Sequence, residues 1–241
     1  MRCVSCKPSL SPRCDCPNER LTIPAYVLSQ LAKRVPLVKP FLDRYGRDPD
    51  SVTYYDNPAW PLPEGTELIP AYRKTCVVLT HYRVFKGHQE MMKLFLKTGE
   101  PVGLFFEDDA VPKRGAFPAA LVNRCAERMG GLDVFATYGR CYKRNRFTAT
   151  RLVAGREVLE LKPSEWAKGN VLANGGNTNV LGSLAYLVTR AGAEKFSALP
   201  WEGIPVDARM PDVLRFGVIH QTPWDHDRRQ GSLVEVGRKD K

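Results

Sequence analysis

The chain has no long hydrophobic run: nowhere in its 241 residues does an apolar stretch approach the roughly 20 residues that cross a bilayer. The opening residues Met1-Arg2-Cys3-Val4-Ser5-Cys6 lack the apolar core of a secretory signal, so a cytoplasmic protein is expected. No internal repeat is present, which excludes a repeat architecture. Acidic residues are outnumbered, 26 against 36 Lys and Arg, leaving a net charge of +10. A positive field of that kind concentrates polyanions, whether nucleic acid, a phosphorylated glycolipid or a nucleotide donor, without choosing among them.

At 43% hydrophobic and 26% charged residues, the chain is globular and long enough for one large domain with a small appendage. The appendage is residues 1–20, a Cys-rich segment, and the domain is 21–241. Cys3, Cys6, Cys14 and Cys16 form a Cys-x2-Cys and a Cys-x-Cys pair. In a cytosolic chain such pairs resemble a tetrahedral structural Zn²⁺ site, a reading placed slightly ahead of reduced thiols in a flexible tail. Cys76, Cys125 and Cys141 are scattered through the domain.

The most informative stretch is Val102-Gly103-Leu104-Phe105-Phe106 followed by Glu107-Asp108-Asp109. An apolar run of strand length ending in three carboxylates predicts a buried parallel strand that delivers acidic groups to the rim of a sheet. Such rims are where α/β proteins bind ligands. Three like charges repel unless a cation sits among them, and oxygen ligands suit Mg²⁺ or Mn²⁺ held with a phosphate-bearing substrate. The alternative is a solvated acidic turn. If the strand persists, Glu107 and Asp109 share one side and Asp108 takes the other.

Around this stretch, strands and helices alternate. Strands are expected at 22–28, 51–55, 134–139 and 182–188. A helix interrupted by Pro36 and Pro40 is expected over 31–45, and further helices over 76–96, 117–129 and 191–199. The alternation predicts an α/β fold with a mostly parallel, Rossmann-like sheet flanked by helices. Arg140, Lys143, Arg144, Arg146 and Arg151 interleave with Tyr142 and Phe147, a mixture that suits phosphate contacts and stacking, or a solvated basic loop. Asn174 to Thr178 reads as a Gly-rich loop whose backbone amides can meet a ligand.

Several separated segments resemble glycosyltransferase family 25, which includes lipooligosaccharide and collagen galactosyltransferases. Cys76-Val77-Val78-Leu79-Thr80-His81 is similar to that family's Gly-Cys-x-Leu-Ser-His element, and Phe105 to Ala110 to its Glu-Asp-Asp metal motif. Gly182 to Ala193 is similar to its Gly-x-x-Ala-Tyr strand and following Gly-Ala helix, and Pro205-Val206-Asp207 to its Pro-x-Asp. Order and approximate spacing agree over residues 21–227, while Tyr26-Val27-Leu28-Ser29-Gln30 departs from the family's opening strand.

The resemblance implies a GT-A fold, a UDP-sugar donor, Mn²⁺ or Mg²⁺, and inversion at the anomeric carbon. On this reading Asp109 binds the metal and Glu107 and Asp108 position the ribose or metal waters. Thr80, His81 and Asn177 stand near the donor. The general base is Asp207, with Asp212 in reserve, against a helix-cap role for either. His81 reads alternatively as a buried, backbone-satisfied histidine. The segment His220 to Asp227 is placed to fold back over the donor, with His220 and His226 as further metal or diphosphate ligands or as surface residues.

Two acceptors remain open. A hydroxymethylated base in DNA, flipped from its stack and met by Arg140, Lys143, Arg144 and Arg146, is placed slightly ahead of a lipooligosaccharide. A reading of another class is a zinc-containing nucleic-acid-binding protein or metal-dependent nuclease. A nuclease would need more converging carboxylates than the chain offers outside the triplet.

Overall fold

The fold was obtained as a computed structural model, which describes residues 19–29, 35–68, 77–113, 118–138, 140–141, 147–153, 155–161, 180–181, 184–219 and 222–226. The expected zinc ligands Cys3, Cys6, Cys14 and Cys16 lie outside them, as do Lys143, Arg144, Arg146, Asn177 and His220.

The first half runs β1 (Ala25–Ser29), α1 (Val35–Tyr45), β2 (Val52–Asp56), α2 (Val78–Leu96), β3 (Val102–Glu107), β4 (Ala110–Pro112), α3 (Ala119–Glu127) and β5 (Val134–Ala136). The second runs β6 (Arg140–Cys141), β7 (Phe147–Val153), β8 (Arg156–Leu161), β9 (Val180–Leu181), β10 (Ala185–Thr189), α4 (Arg190–Ser197), α5 (Val206–Val213), β11 (Phe216–Ile219) and β12 (Trp224–His226).

Eight strands form one sheet in the order β2-β1-β3-β10-β5-β11-β8-β7. The pairings make it mixed. β1 lies parallel to β2 and β3, and β5 parallel to β11, whereas β10 runs antiparallel between β3 and β5, and β8 between β11 and β7. Six of the eight strands therefore share one direction, and β10 and β8 oppose it. The fold is α/β with helices on both faces, a Rossmann-like layering.

The strand alternation of β3 assigns its residues to the two layers. Leu104 and Phe106 join Val38 and Leu42 of α1 and Leu121, Val122 and Cys125 of α3. Phe105 joins Phe85, Met92 and Phe95 of α2, Phe196 of α4 and Met210 of α5. α2 lies close to the sheet because residue 87 is glycine: a Cβ there would come within 2.6 Å of the Leu28 side chain and 2.9 Å of Asn57 Oδ1. Gln89 ties α2 to the end of α4 by donating to the carbonyls of Phe196 and Leu199.

Several boundaries differ from the sequence expectation. α1, described from Val35 onward, continues through Pro40 without a break, because Val38 and Leu42 are buried against the sheet and tertiary packing outweighs one missing backbone bond. Leaving residues 22–24 outside it, β1 begins at Ala25. The basic stretch is not all loop: Phe147 opens β7, and Arg151 lies within that strand. Arg151 pairs with Glu160 at 3.2 Å and donates to the Met129 carbonyl, so it is committed inside the fold. Among the described residues, no helix is long and apolar enough to cross a membrane.

Candidate functional site

The shared direction of β1, β2, β3, β5 and β11 places their carboxyl ends at one edge of the sheet, where the opposed β10 begins. Glu107, Asp108 and Asp109 leave β3, an interior strand of the sheet, at this edge. β2 and β3 lie on opposite sides of β1, so the strand order reverses between β1 and β3, the kind of position where open α/β sheets form ligand crevices.

A solvated acidic turn does not describe the triplet. Asp108 is 0% and Asp109 4% exposed, and only the Glu107 side chain, at 21%, reaches solvent appreciably. The backbone explains the burial. Glu107 N–H donates to the Leu184 carbonyl at 2.9 Å, and Asp108 N–H to the Leu28 carbonyl at 3.1 Å. The strand ends at Glu107, and Asp108 and Asp109 form a turn into β4. Strand alternation therefore stops before Asp109, and the expected same-side placement of Glu107 and Asp109 does not follow from it.

β4 pairs with β12, setting Ala110 opposite His226 and Pro112 opposite Trp224. The carboxy-terminal segment thus folds back to the triplet, and the backbone of His226 stands one register position from Asp109; its side chain is outside the described residues. Trp224 anchors the return. Its ring is fully buried, packs edge-on to Phe106 at 5.0 Å and donates from Nε1 to Thr137 Oγ1 at 2.9 Å. Thr222 Oγ1 donates to the Thr137 carbonyl at 2.8 Å.

On the opposite face stands the first turn of α2, with Thr80 and His81 half-buried. His81 senses Glu107: burial lowers its pKa below the ordinary value, and the Glu107 carboxylate partly offsets that. Val78 of the same turn packs on Ile204 and Ala208. Asp207, in the first turn of α5, accordingly lies in a helix start that touches the start of α2. Asp212 is placed differently. It sits in the last turn of α5, paired with buried Arg209 at 3.1 Å, and Arg209 also reaches Glu202 at 2.7 Å. The backbone of Arg140 pairs with Leu181 between β6 and β9.

Two residues absent from the sequence-derived site lie directly behind Glu107. His88, fully buried on α2, brings Nε2 to 3.5 Å from Glu107 Oε1. Its Nδ1 is 2.5 Å from the hydroxyl of Tyr186 on β10. Tyr186 stacks on Phe105, which stacks on Tyr26, with ring centroids 5.5 and 5.0 Å apart. Burial first, then the Glu107 charge, hold the Tyr186 hydroxyl well above its ordinary pKa, so it stays protonated. A usable signal was present in the sequence: His88 follows His81 by two helical turns and therefore shares its face. Tyr186 stood within the Ala-Tyr segment with no role assigned.

Among the described residues no three His, Cys, Asp or Glu side chains converge as a metal-binding group. Mg²⁺-type sites need only one or two carboxylates, the remaining positions being filled by water and substrate phosphates. The carboxylates of Asp108 and Asp109 are hard oxygen donors of the right kind for such a site.

The sequence matches no protein-family model and no curated protein. Among solved structures, the A197 protein from STIV is 14% identical, with 85% of each chain covered and a TM-score of 0.45. A mannose-1-phosphate geranyltransferase from Thermus thermophilus is 15% identical over 85% of this chain and 76% of its own, with a TM-score of 0.40. Likeness at this level assigns no substrate or reaction.

Proposed function

We propose that the protein is a metal-dependent transferase that moves a sugar from a UDP-sugar to an acceptor hydroxyl with inversion. The observation that carries this reading is the burial of Asp108 and Asp109 at the carboxyl edge of β3, with His81 of the first turn of α2 within electrostatic reach of Glu107. Three separated segments that resemble glycosyltransferase family 25 support the reading: two supply His81 and Glu107, and the third supplies Asp207, in a helix start whose Ala208 packs near Val78 of α2.

Asp109 would hold Mn²⁺ or Mg²⁺, with Asp108 as a second oxygen donor and the His226 strand closing the same end. When bound, such an ion neutralises diphosphate charge as the nucleotide leaves. Glu107 accepts hydrogen bonds from donor hydroxyls, while His81, whose burial keeps it neutral over more of the pH range, leaves the negative character of the edge undiminished. Asp207 takes the acceptor proton; Asp212 is less suited, because transfer of that proton would break its ion pair with Arg209. The net charge of +10 favours a polyanionic acceptor, with hydroxymethylated DNA tested before a lipooligosaccharide.

The deciding measurement is hydrolysis of UDP-sugars with Mn²⁺, followed by product mass with each acceptor. Asp109→Ala is expected to lower turnover by ~100-fold or more, the scale of losing several kcal/mol of charge stabilisation. Full turnover in that variant would remove Asp109 from the site, and absence of product on DNA with every donor would turn the acceptor reading to the glycolipid.

A further inference from the structure

We propose that His88 and Tyr186 are a buried positioning pair that holds the Glu107 carboxylate in one orientation at the sheet edge. The pair crosses from helix to sheet. His88 lies on α2 and Tyr186 on β10, and β10 is hydrogen-bonded to β3, the strand that ends in Glu107. Both residues are essentially inaccessible, at 0% and 1% exposure, so neither meets a ligand directly.

Hydrogen-bond roles follow from what each atom can offer. A protonated Tyr186 hydroxyl donates to His88 Nδ1, which makes Nδ1 an acceptor and puts the ring N–H on Nε2, facing Glu107. The reverse arrangement would aim an Nε2 lone pair at a carboxylate 3.5 Å away, and the two would repel. His88 Nε2 has no hydrogen-bond partner and is buried away from water. Glu107 Oε1 is the acidic oxygen within reach, and 3.5 Å exceeds an ordinary N–H···O bond. A small rotation of the Glu107 side chain toward the ring would form that bond. The consequence is a carboxylate fixed from behind, as is common where a ligand-binding group is oriented by hydrogen bonds in the layer beneath it.

The inference rests on the donor-site reading only for what Glu107 touches, and the experiment separates the two. The first arm needs no substrate. The chain has four histidines, so ¹⁵N-histidine labelling of the full-length protein gives a readable spectrum. One ring is expected as the Nε2–H tautomer, its Nδ1 signal shifting in Tyr186→Phe and its Nε2 signal in Glu107→Gln. An Nδ1–H tautomer for His88, or no change in either variant, overturns the pair.

The second arm titrates UDP with Mn²⁺. A glutamine amide reaches roughly where Nε2 stood, and an asparagine amide where Nδ1 stood. His88→Gln is therefore expected to keep affinity within ~3-fold, while His88→Asn loses ~10-fold, as when a hydrogen bond to a charged group is lost. Equal affinity in both His88 variants, with loss in Glu107→Gln, overturns the positioning role and leaves the donor site standing. No UDP binding by the wild type overturns the donor site, and the spectra still decide the pair. Should the His88 variants unfold, Tyr186→Phe, which removes one oxygen, decides by the same two readouts.

Discussion

The two faces of β3 reach the same edge and do different things there. On the α1 and α3 side, Phe106 meets Trp224, and the polar atoms near it, Thr137 and Thr222, are spent on fastening the returning segment. On the α2 side, Phe105 meets Tyr186, and the next layer out is ionisable: His88, Glu107 and His81. One face closes the edge and the other equips it. A strand buried on both sides can serve closure and chemistry together, because successive residues point to opposite faces of the sheet.

The largest effect that would break this division is expected from Trp224→Ala. It removes a fully buried ring and its bond to Thr137, and by analogy with large-to-small core changes costs ~3–5 kcal/mol in urea unfolding. If closure belongs to this face alone, the ¹⁵N signals of His88 stay in place.

A smaller loss, ~1–3 kcal/mol by overpacking, is expected for Gly192→Ala on the α2 side. The added Cβ would come within 2.5 Å of the Asp133 carbonyl, and backbone cannot yield as a side chain does. Calorimetry would read it as a lowered Tm.

His81 gives a pH signature to the equipped face. Its folded pKa lies below 6.5 because of burial. As pH falls through 6.5 toward that lower value, the unfolded chain takes up a proton that the folded chain does not. Stability is thus complete above 6.5 and lost on acidification. Urea unfolding between about pH 8 and pH 5 should show a shallower decline in His81→Gln than in the wild type; identical slopes would mean that His81 titrates alike in both states.

The smallest effect is expected at Cys125, on the closing face. Burial pushes its thiol up to about 12, so alkylation at neutral pH, mapped by peptide mass, should leave it unmodified until the protein unfolds.

Much of the fold was legible in the chain. The apolar run into Glu107, the helical face from Val78 to Phe95 and the strand through Tyr186 were all readable from periodicity and punctuation. Less legible was the hairpin of β7 and β8, because Phe147 and Arg151 sit among charged residues whose pairing partner, Glu160, lies on the next strand. The candidate site was legible as residue types, in Glu107 to Asp109, His81 and Asp207, but not as a geometry. The sequence ranks Asp207 ahead of Asp212, but the ion pair between Asp212 and Arg209 is readable only from the structure.

Sequence by itself determined that three carboxylates follow a buried strand, since local hydrophobicity and spacing set a strand and its exit. Only the tertiary structure decided which of those carboxylates are buried, which histidine stands behind Glu107, and that the chain returns through Trp224 beside Asp109. Those are contacts between residues far apart along the chain, and their energies depend on distances that no local pattern encodes.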